Sequence, residues 1–330
     1  MSEPLLSVII PCYNAEKYLP TCFRCLGGQT YKNIRAIFVD DGSSDGTYRL
    51  LNEYCSSHGK NILISGENAG VATARNKGLA AVSDGLFAFL DADDIISDNH
   101  FELLVKTMKE HGADMAVCGI KRISDKKASN YRPKNPTVRK VSLYGNESAL
   151  EQFFSQEKFD FLLMNKIFSA EILKKSGARF IEGTRYGEEG YFFFRYLSAC
   201  HKTAYYTAKT YVYVQRKGSL MHTAFNENRL DIYKNLALTL KTAEESGKYP
   251  SVVPYIKVMR AGYSVGLLYF ILRAKYKNSR VIAEIVKTLL SDVKSLKKCP
   301  KVACYKKAFL PLAARLAKII FLKHLKKANA

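Results

Sequence analysis

The chain has 330 residues, 47% of them hydrophobic, and carries 51 Lys and Arg against 30 Asp and Glu, a formal net charge of +21. That apolar content can fill one large core or two ordinary ones, which excludes a disordered protein. No run of 18 or more apolar residues occurs, and the N-terminus lacks the basic, apolar and small-residue succession of a signal peptide, so a cytosolic protein is expected.

The first 118 residues alternate short β-rich runs with helical patterns. LLSVII (5–10), IRAIFVD (34–40), NILIS (61–65), LFAFL (86–90) and DMAVC (114–118) read as strands, with helices near 15–26, 46–56, 70–82 and 98–111 between them. This alternation predicts an α/β fold with a mostly parallel sheet covered by helices. Ser44-Asp45 and Ser97-Asp98 supply capping oxygens before the second and fourth helices. Residues 121–140 are polar and basic and predict an irregular or hairpin excursion bordering an acceptor groove. Helices follow near 146–156 and 167–176, then a glycine-bearing loop, GTRYGEEG (183–190), and an aromatic-rich helix from Tyr191. AYYTA and YVYVQ predict two short strands before a helical remainder from about 226.

The eight cysteines are scattered, as expected of reduced thiols. Cys22 and Cys25 have redox-motif spacing, but they sit in a helical pattern with no second half of a metal site, and core packing is the better reading.

In parallel α/β sheets, ligands bind at the carboxyl ends of the strands. Pro11-Cys12-Tyr13-Asn14, Asp40-Asp41-Gly42-Ser43, Glu67-Asn68-Ala69-Gly70 and Asp91-Ala92-Asp93-Asp94 fall at four such ends. Asp91 and Asp93, two residues apart, present their carboxylates to one side. A divalent cation relieves their repulsion, and hard Mg²⁺ or Mn²⁺ takes a few carboxylates plus substrate phosphate oxygens. The bland alternative is an acidic cap on the next helix, a role that also suits Asp94. Tyr13 is placed to stack on a base, Asp41 to accept from a base N–H, and Arg75 to bind diphosphate or ribose.

SVIIPCYNAEKYL (7–19), VDDGSSDGT (39–47), ENAGVATARNKGL (67–79) and FLDADD (89–94), in this order and spacing, resemble the GT-A fold of family 2 inverting glycosyltransferases of the bacterial envelope-polysaccharide type. The resemblance covers 5 to about 118 and continues more weakly through NKIFSAEIL (165–173), RFIEG (179–183), YGEEGYFF (186–193) and YVYVQRKGSLMH (211–222). It implies a catalytic domain over 1–222, with a nucleotide-binding half (1–118) and an acceptor half (119–222), followed by a helical basic region (223–330). It further implies that Pro11, Tyr13, Asp41, Asn68 and Arg75 line a nucleotide pocket, with Asp91 near ribose or metal and Asp93 on the D-x-D metal, Mn²⁺ or Mg²⁺. UDP-sugar is the implied donor. Arg216 and Ser219 fall in a loop that closes over the diphosphate, and His222 stands where a third metal ligand is found. Asn165 and Lys166 match a position of structural or acceptor-side character.

Inverting transfer needs a base for the acceptor hydroxyl. In similar enzymes it is the Asp of a Glu-Asp pair at a helix start; this chain has Glu188-Glu189. The base is carried to Glu189, with Glu188 as rival. The departure also motivates an alternative: a non-catalytic sugar or membrane-surface binding module retaining the fold.

Residues 251–330 hold eighteen Lys and Arg against only Glu284 and Asp292. The eleven-residue run 262–272 is too short to span a bilayer. The end, from Lys301, mixes Lys and Arg with Leu, Ile and Phe, as in an interfacial helix on anionic lipid; packing on the body or on a second copy in a homo-oligomer is the other reading. Lipid attachment implies a peripheral enzyme on the inner face of the cell membrane and a lipid-linked saccharide acceptor, as in capsule, exopolysaccharide or teichoic-acid assembly. Nucleic acid is disfavoured as a partner, since the charge lies in an apolar tail rather than an aromatic-studded groove.

Overall fold

The structure is a computed structural model that describes residues 3–128, 131–216, 225–274, 276, 278–296 and 315. The apolar runs of the N-terminal half form strands β1 (Leu6–Cys12), β2 (Ile34–Asp40), β3 (Ile62–Ser65) and β4 (Leu86–Phe89), all paired in parallel in the order β3-β2-β1-β4. β1 is buried along nearly its whole length, as a strand covered on both faces must be. The covering helices are α1 (Leu19–Gly27), α2 (Thr47–Ser57), α3 (Val71–Ala80) and α4 (His100–His111). α1 buries Leu19, Cys22, Cys25 and Leu26 on one face. Burial pushes both of those thiols up, so they serve packing rather than redox chemistry.

The second half departs from the expected parallel run. The fifth predicted strand, β6 (Met115–Ser124), does not lie beside β4; β8 (Lys166–Ser169) inserts between them, antiparallel to both. Residues 167–169, expected to open a helix, are therefore a strand, and α7 (Ala170–Ser176) begins only after Ser169, whose hydroxyl accepts from the Ile172 amide. Phe87 stacks on Phe168 at 4.9 Å across the β4–β8 seam, so this insertion carries core contact as well as hydrogen bonds. The two short strands expected near 204–215 are one, β9 (Thr203–Gln215), parallel to β6 and bulged around Gly119. A Cβ at Gly119 would stand 2.3 Å from the Thr207 carbonyl oxygen, so only glycine admits the bulge.

Short β5 (Ile95–Ile96) and β7 (Val141–Tyr144) both pair with β9. Residues 125–128 form one turn of helix, α5 (Asp125–Ala128), and 131–140 run without regular structure. Of the two expected caps one is made: Asp45 Oδ1 accepts from the amide of Thr47, the first residue of α2, at 3.0 Å, while Oδ2 accepts from the Glu16 amide and ties the helix start to the loop after β1. α4 is capped at Asn99 without a side-chain capping bond.

α6 (Asn146–Ser155) and α8 (Glu189–Ala199) pack beside each other, and α9 (Leu230–Ser246), α10 (Val253–Arg273) and α11 (Ser279–Leu296) follow. The main hydrophobic core runs on past residue 222: Leu236, Leu240 and Ala243 of α9 and Ile256 and Met259 of α10 belong to it. A second core lies between α10 and α11, where Arg260 donates to both oxygens of the buried Asp292, at 2.8 and 2.7 Å. Among the described residues, no helix is long and apolar enough to cross a membrane. The basic end expected to bind lipid lies, apart from Arg315, outside the described residues.

Candidate active site

The carboxyl ends of β1, β2, β3 and β4 converge on a cleft of about 490 Å³ lined by Pro11, Cys12, Tyr13, Ala15, Tyr18, Asp41, Asn68, Gly70, Val71, Ala74, Asp91, Ala92, Asp93 and Arg185. The loops forming its wall are laced together. The Asn14 side-chain oxygen accepts from the Ser44 amide at 2.9 Å, and Thr47 Oγ1 accepts from the Ala15 amide at 2.7 Å. Asp41, buried, accepts from the amides of Ala69 and Gly70 at 2.9 and 2.8 Å. Its carboxylate thereby fixes the loop carrying Asn68, in addition to facing the cleft. Tyr13 is 56% exposed, leaving its ring open for stacking.

Arg75, expected at the diphosphate, is buried beneath the cleft floor. It donates through Nη1 to Glu188 Oε1 at 2.6 Å, lies 3.7 Å from Asp91 and 3.8 Å from Glu189, and packs over the Phe180 ring. One guanidinium thus faces three carboxylates. Burial pushes Glu189 up to about 8, with the Glu188 charge adding to the effect and Arg75 opposing it. Asp91 is pushed up to about 6, again by burial first, against the pull of Arg75 and with Asp93 and Glu188 adding to it.

The three aspartates at the end of β4 separate into distinct roles. Oxygens of Asp91, Asp93 and Asp94 all lie within 4.8 Å of one another, near enough to share a cation. Asp94, however, is buried and already satisfied: it accepts from the Tyr211 hydroxyl and, at 2.8 Å, from the Val214 amide, tying the strand end to β9. Asp93 is more exposed. Its Oδ2 accepts from Arg216 Nε at 2.9 Å, while Arg216 also pairs with Asp125 at 2.8 Å and lies 4.4 Å over the Tyr18 ring. Arg216, at the end of β9, therefore rests on the aspartate pair. Ser219 and His222 lie outside the described residues.

Glu188 and Glu189 stand at the N-terminus of α8, where the helix dipole favours negative charge. Glu188 is buried and committed to Arg75, whereas the Glu189 side chain is 23% exposed. Lys166 is wholly buried, donating to Asn165 Oδ1 at 2.7 Å and to Asp160, so it braces the 160–165 loop. Sequence reasoning did not single out Tyr18 or Arg185. Arg185 lay within the GTRYGEEG loop, where a cation three residues before a glutamate pair was the available signal.

The cleft opens at the ends of four parallel strands, with Asp91 and Asp93 in its lining, in the mixed α/β architecture of the GT-A fold. The sequence profile of glycosyl transferase family 2 matches residues 7–177, and the chain belongs to that family. Among its relatives, the glycosyltransferase GlyA of Streptococcus pneumoniae is 33% identical over 219 residues, 65% of this chain but 31% of GlyA. GlyG of the same organism is 28% identical over 68% of this chain and 75% of its own length. The minor teichoic acid biosynthesis protein GgaB of Bacillus subtilis is 27% identical over 76% of this chain and 28% of GgaB. The chain thus spans about a third of GlyA and of GgaB. S. aureus TarS 1-349, solved in complex with UDP-GlcNAc, superposes with a TM-score of 0.67 at 19% identity, over 96% of this chain and 89% of that one.

Because Glu189 in the fold holds its proton more tightly than an exposed glutamate, it contributes stability below about pH 4, and that contribution is lost as pH rises toward 8. Glu189→Gln removes this loss. The variant should match the wild type in urea unfolding near pH 4 and exceed it by about 1–3 kcal/mol near pH 8.

Proposed function

We propose that the enzyme transfers a sugar from UDP to a hydroxyl of a saccharide acceptor, with inversion and with a divalent cation, Mn²⁺ or Mg²⁺. The observation that carries this reading is the Arg75 cluster, which joins the aspartate pair at the end of β4 to the glutamates of α8 within one set of ion pairs. UDP is favoured by the fold neighbour TarS, solved with UDP-GlcNAc and with UDP; a second neighbour, a mannosyltransferase of Pyrobaculum calidifontis, was solved with GDP-Man and Mn²⁺.

The donor set fits a hard cation: Asp91 and Asp93 offer carboxylate oxygens at the cleft, while Asp94 is spent on Tyr211 and Val214. Bound there, Mg²⁺ or Mn²⁺ supplies positive charge to the diphosphate and to its departure. Tyr13 then stacks on the base, Asn68 and Pro11 border it, and Asp41 keeps the Asn68 loop in place. Arg216, sharing Asp93, is within reach of the diphosphate.

Glu189 takes the acceptor hydroxyl proton. It is the partly exposed member of the pair, and its raised affinity for a proton suits a group that must retain it after transfer. Glu188, held by Arg75, orients the helix start. The basic end places the enzyme on anionic lipid at the cytoplasmic face, with a lipid-linked acceptor in envelope-polysaccharide or teichoic-acid synthesis; the teichoic-acid relative GgaB supports that setting.

Thermal unfolding with UDP, GDP, CDP or dTDP should show stabilisation by UDP with Mn²⁺, near 2.7 kcal/mol at about 100 times Kd, abolished by chelator and by Asp93→Asn. Glu189→Gln should keep UDP binding and lose about 10²–10⁴-fold in turnover. Stabilisation by no nucleotide would sink the donor assignment, and near-normal turnover of Glu189→Gln would sink the base. In a second test, ending the chain after Leu296 should release it from vesicles containing anionic lipid; unchanged co-sedimentation would refute attachment through the basic end.

A further inference from the structure

The loop that delivers Glu188 and Glu189 has no regular structure between 183 and 188, and 183–190 contains three glycines, so its position must be imposed from outside. Two helices do this from opposite sides. From α3, Asn76 clamps the preceding stretch through both ends of its amide: Nδ2 donates to the Phe180 carbonyl at 3.0 Å, and Oδ1 accepts from the Phe180 amide at 2.9 Å.

From α9, three residues on one helical face each meet one residue of the loop. Asp231 Oδ2 accepts from the Arg185 amide at 3.0 Å, and Asn235 Nδ2 donates to the Tyr186 carbonyl at 3.1 Å. Ile232 packs so close to Gly187 that a Cβ there would stand 2.9 Å from Ile232 Cγ1, at a backbone φ of +69° that side chains rarely adopt.

Asp231 and Asn235 are 7% and 2% exposed, on a face that otherwise buries Tyr233, Leu236 and Leu240. A core of that kind accepts leucine at such positions. Burying a carboxylate and an amide there is unfavourable unless they are hydrogen-bonded, and their bonds go to the backbone of the two residues that precede Gly187 and the glutamates. The family match ends at residue 177, so this support comes from beyond it.

We propose that Asp231 and Asn235 are positioning residues for transfer, fixing the 185–187 backbone so that Glu189 reaches the acceptor hydroxyl. The inference rests on Glu189 as base. A displacement of about 1 Å at such a loop costs up to about 10²-fold in rate, so the effect falls on turnover rather than on donor binding.

The test compares wild type with Asp231→Ala, Asn235→Ala, the double variant and the conservative Asp231→Asn, which keeps an acceptor oxygen for the Arg185 amide. Amide hydrogen exchange of the segment 183–192, read against the β1–β4 strands, is the readout that needs no substrate. The double variant should exchange faster there and nowhere in the parallel strands. Release of UDP from UDP-N-acetylglucosamine and from UDP-glucose should fall about 10–100-fold in kcat, while the Kd for UDP with Mn²⁺ stays within about threefold. Asp231→Asn should recover most of the rate. If the double variant fails to fold, the single variants carry the same comparison.

Unchanged exchange at 183–192, or loss of UDP binding in step with turnover, overturns the inference. Full turnover in Glu189→Gln would show that the underlying assignment of the base has failed, which the exchange data distinguish from failure of the positioning role.

Discussion

The ion pair between Arg75 and Glu188 joins two halves of the chain more than a hundred residues apart, and the site is organised around it. Arg75 comes from α3, which packs under the parallel sheet; Glu188 caps the N-terminus of α8. Both are buried, and a pair of this kind is justified less by net stability than by what it holds in register, since burying two charges costs nearly what their attraction returns. Here it holds Glu189 and Asp91 on either side of one guanidinium. Two unit charges 4 Å apart interact by about 4 kcal/mol at an effective dielectric of 20, so three carboxylates around one cation leave a deficit of positive charge. Burial raises the proton affinities of Asp91 and Glu189, and the neighbouring carboxylates add to the rise while Arg75 opposes it.

Arg75 makes the aspartates at the end of β4 and the glutamates of α8 one electrostatic unit. On the proposed reading, a cation held by Asp91 and Asp93 would lower the proton affinity of Glu189 through these charges. The site is thus poised rather than relaxed, and the surrounding structure bears the cost. Asp94 is anchored to Tyr211 and Val214, Asp41 to the Ala69 and Gly70 amides, and Asn76 to Phe180. α9 closes the other side of the glutamate loop, and its apolar residues belong to the same core as the sheet. α9 and the start of α10 are therefore packed as part of the site's support, while α11 belongs to the second core.

The four strand ends were legible in the sequence because each is a local event: an apolar run followed by Asn-, Asp- or Gly-rich turn residues. The resemblance carried Asp91, Asp93, Tyr13 and the glutamate pair to positions that the structure gathers around one cleft and its floor. What failed was long-range. IFS at 167–169 reads into a helical pattern because AEIL follows, and nothing local says that it pairs between β4 and β6. AYYTA and YVYVQ read as two strands because the intervening residues bulge, and the bulge is set by Gly119 on a different strand. That Arg75 pairs with Glu188 could not be read locally, because the two are 113 residues apart. Buried Asp231 and Asn235 carried no motif, and their purpose is visible only once the glutamate loop lies against them.

The account stands on a donor site and a base coupled through the charge surrounding Arg75, and calorimetry of UDP with Mn²⁺ in two buffers of different ionisation enthalpy, at about pH 7.5, tests this most directly. The coupling predicts net proton release from the protein on binding, largely absent in Glu189→Gln. Binding that releases no protons, or releases as many from the variant as from the wild type, would contradict it.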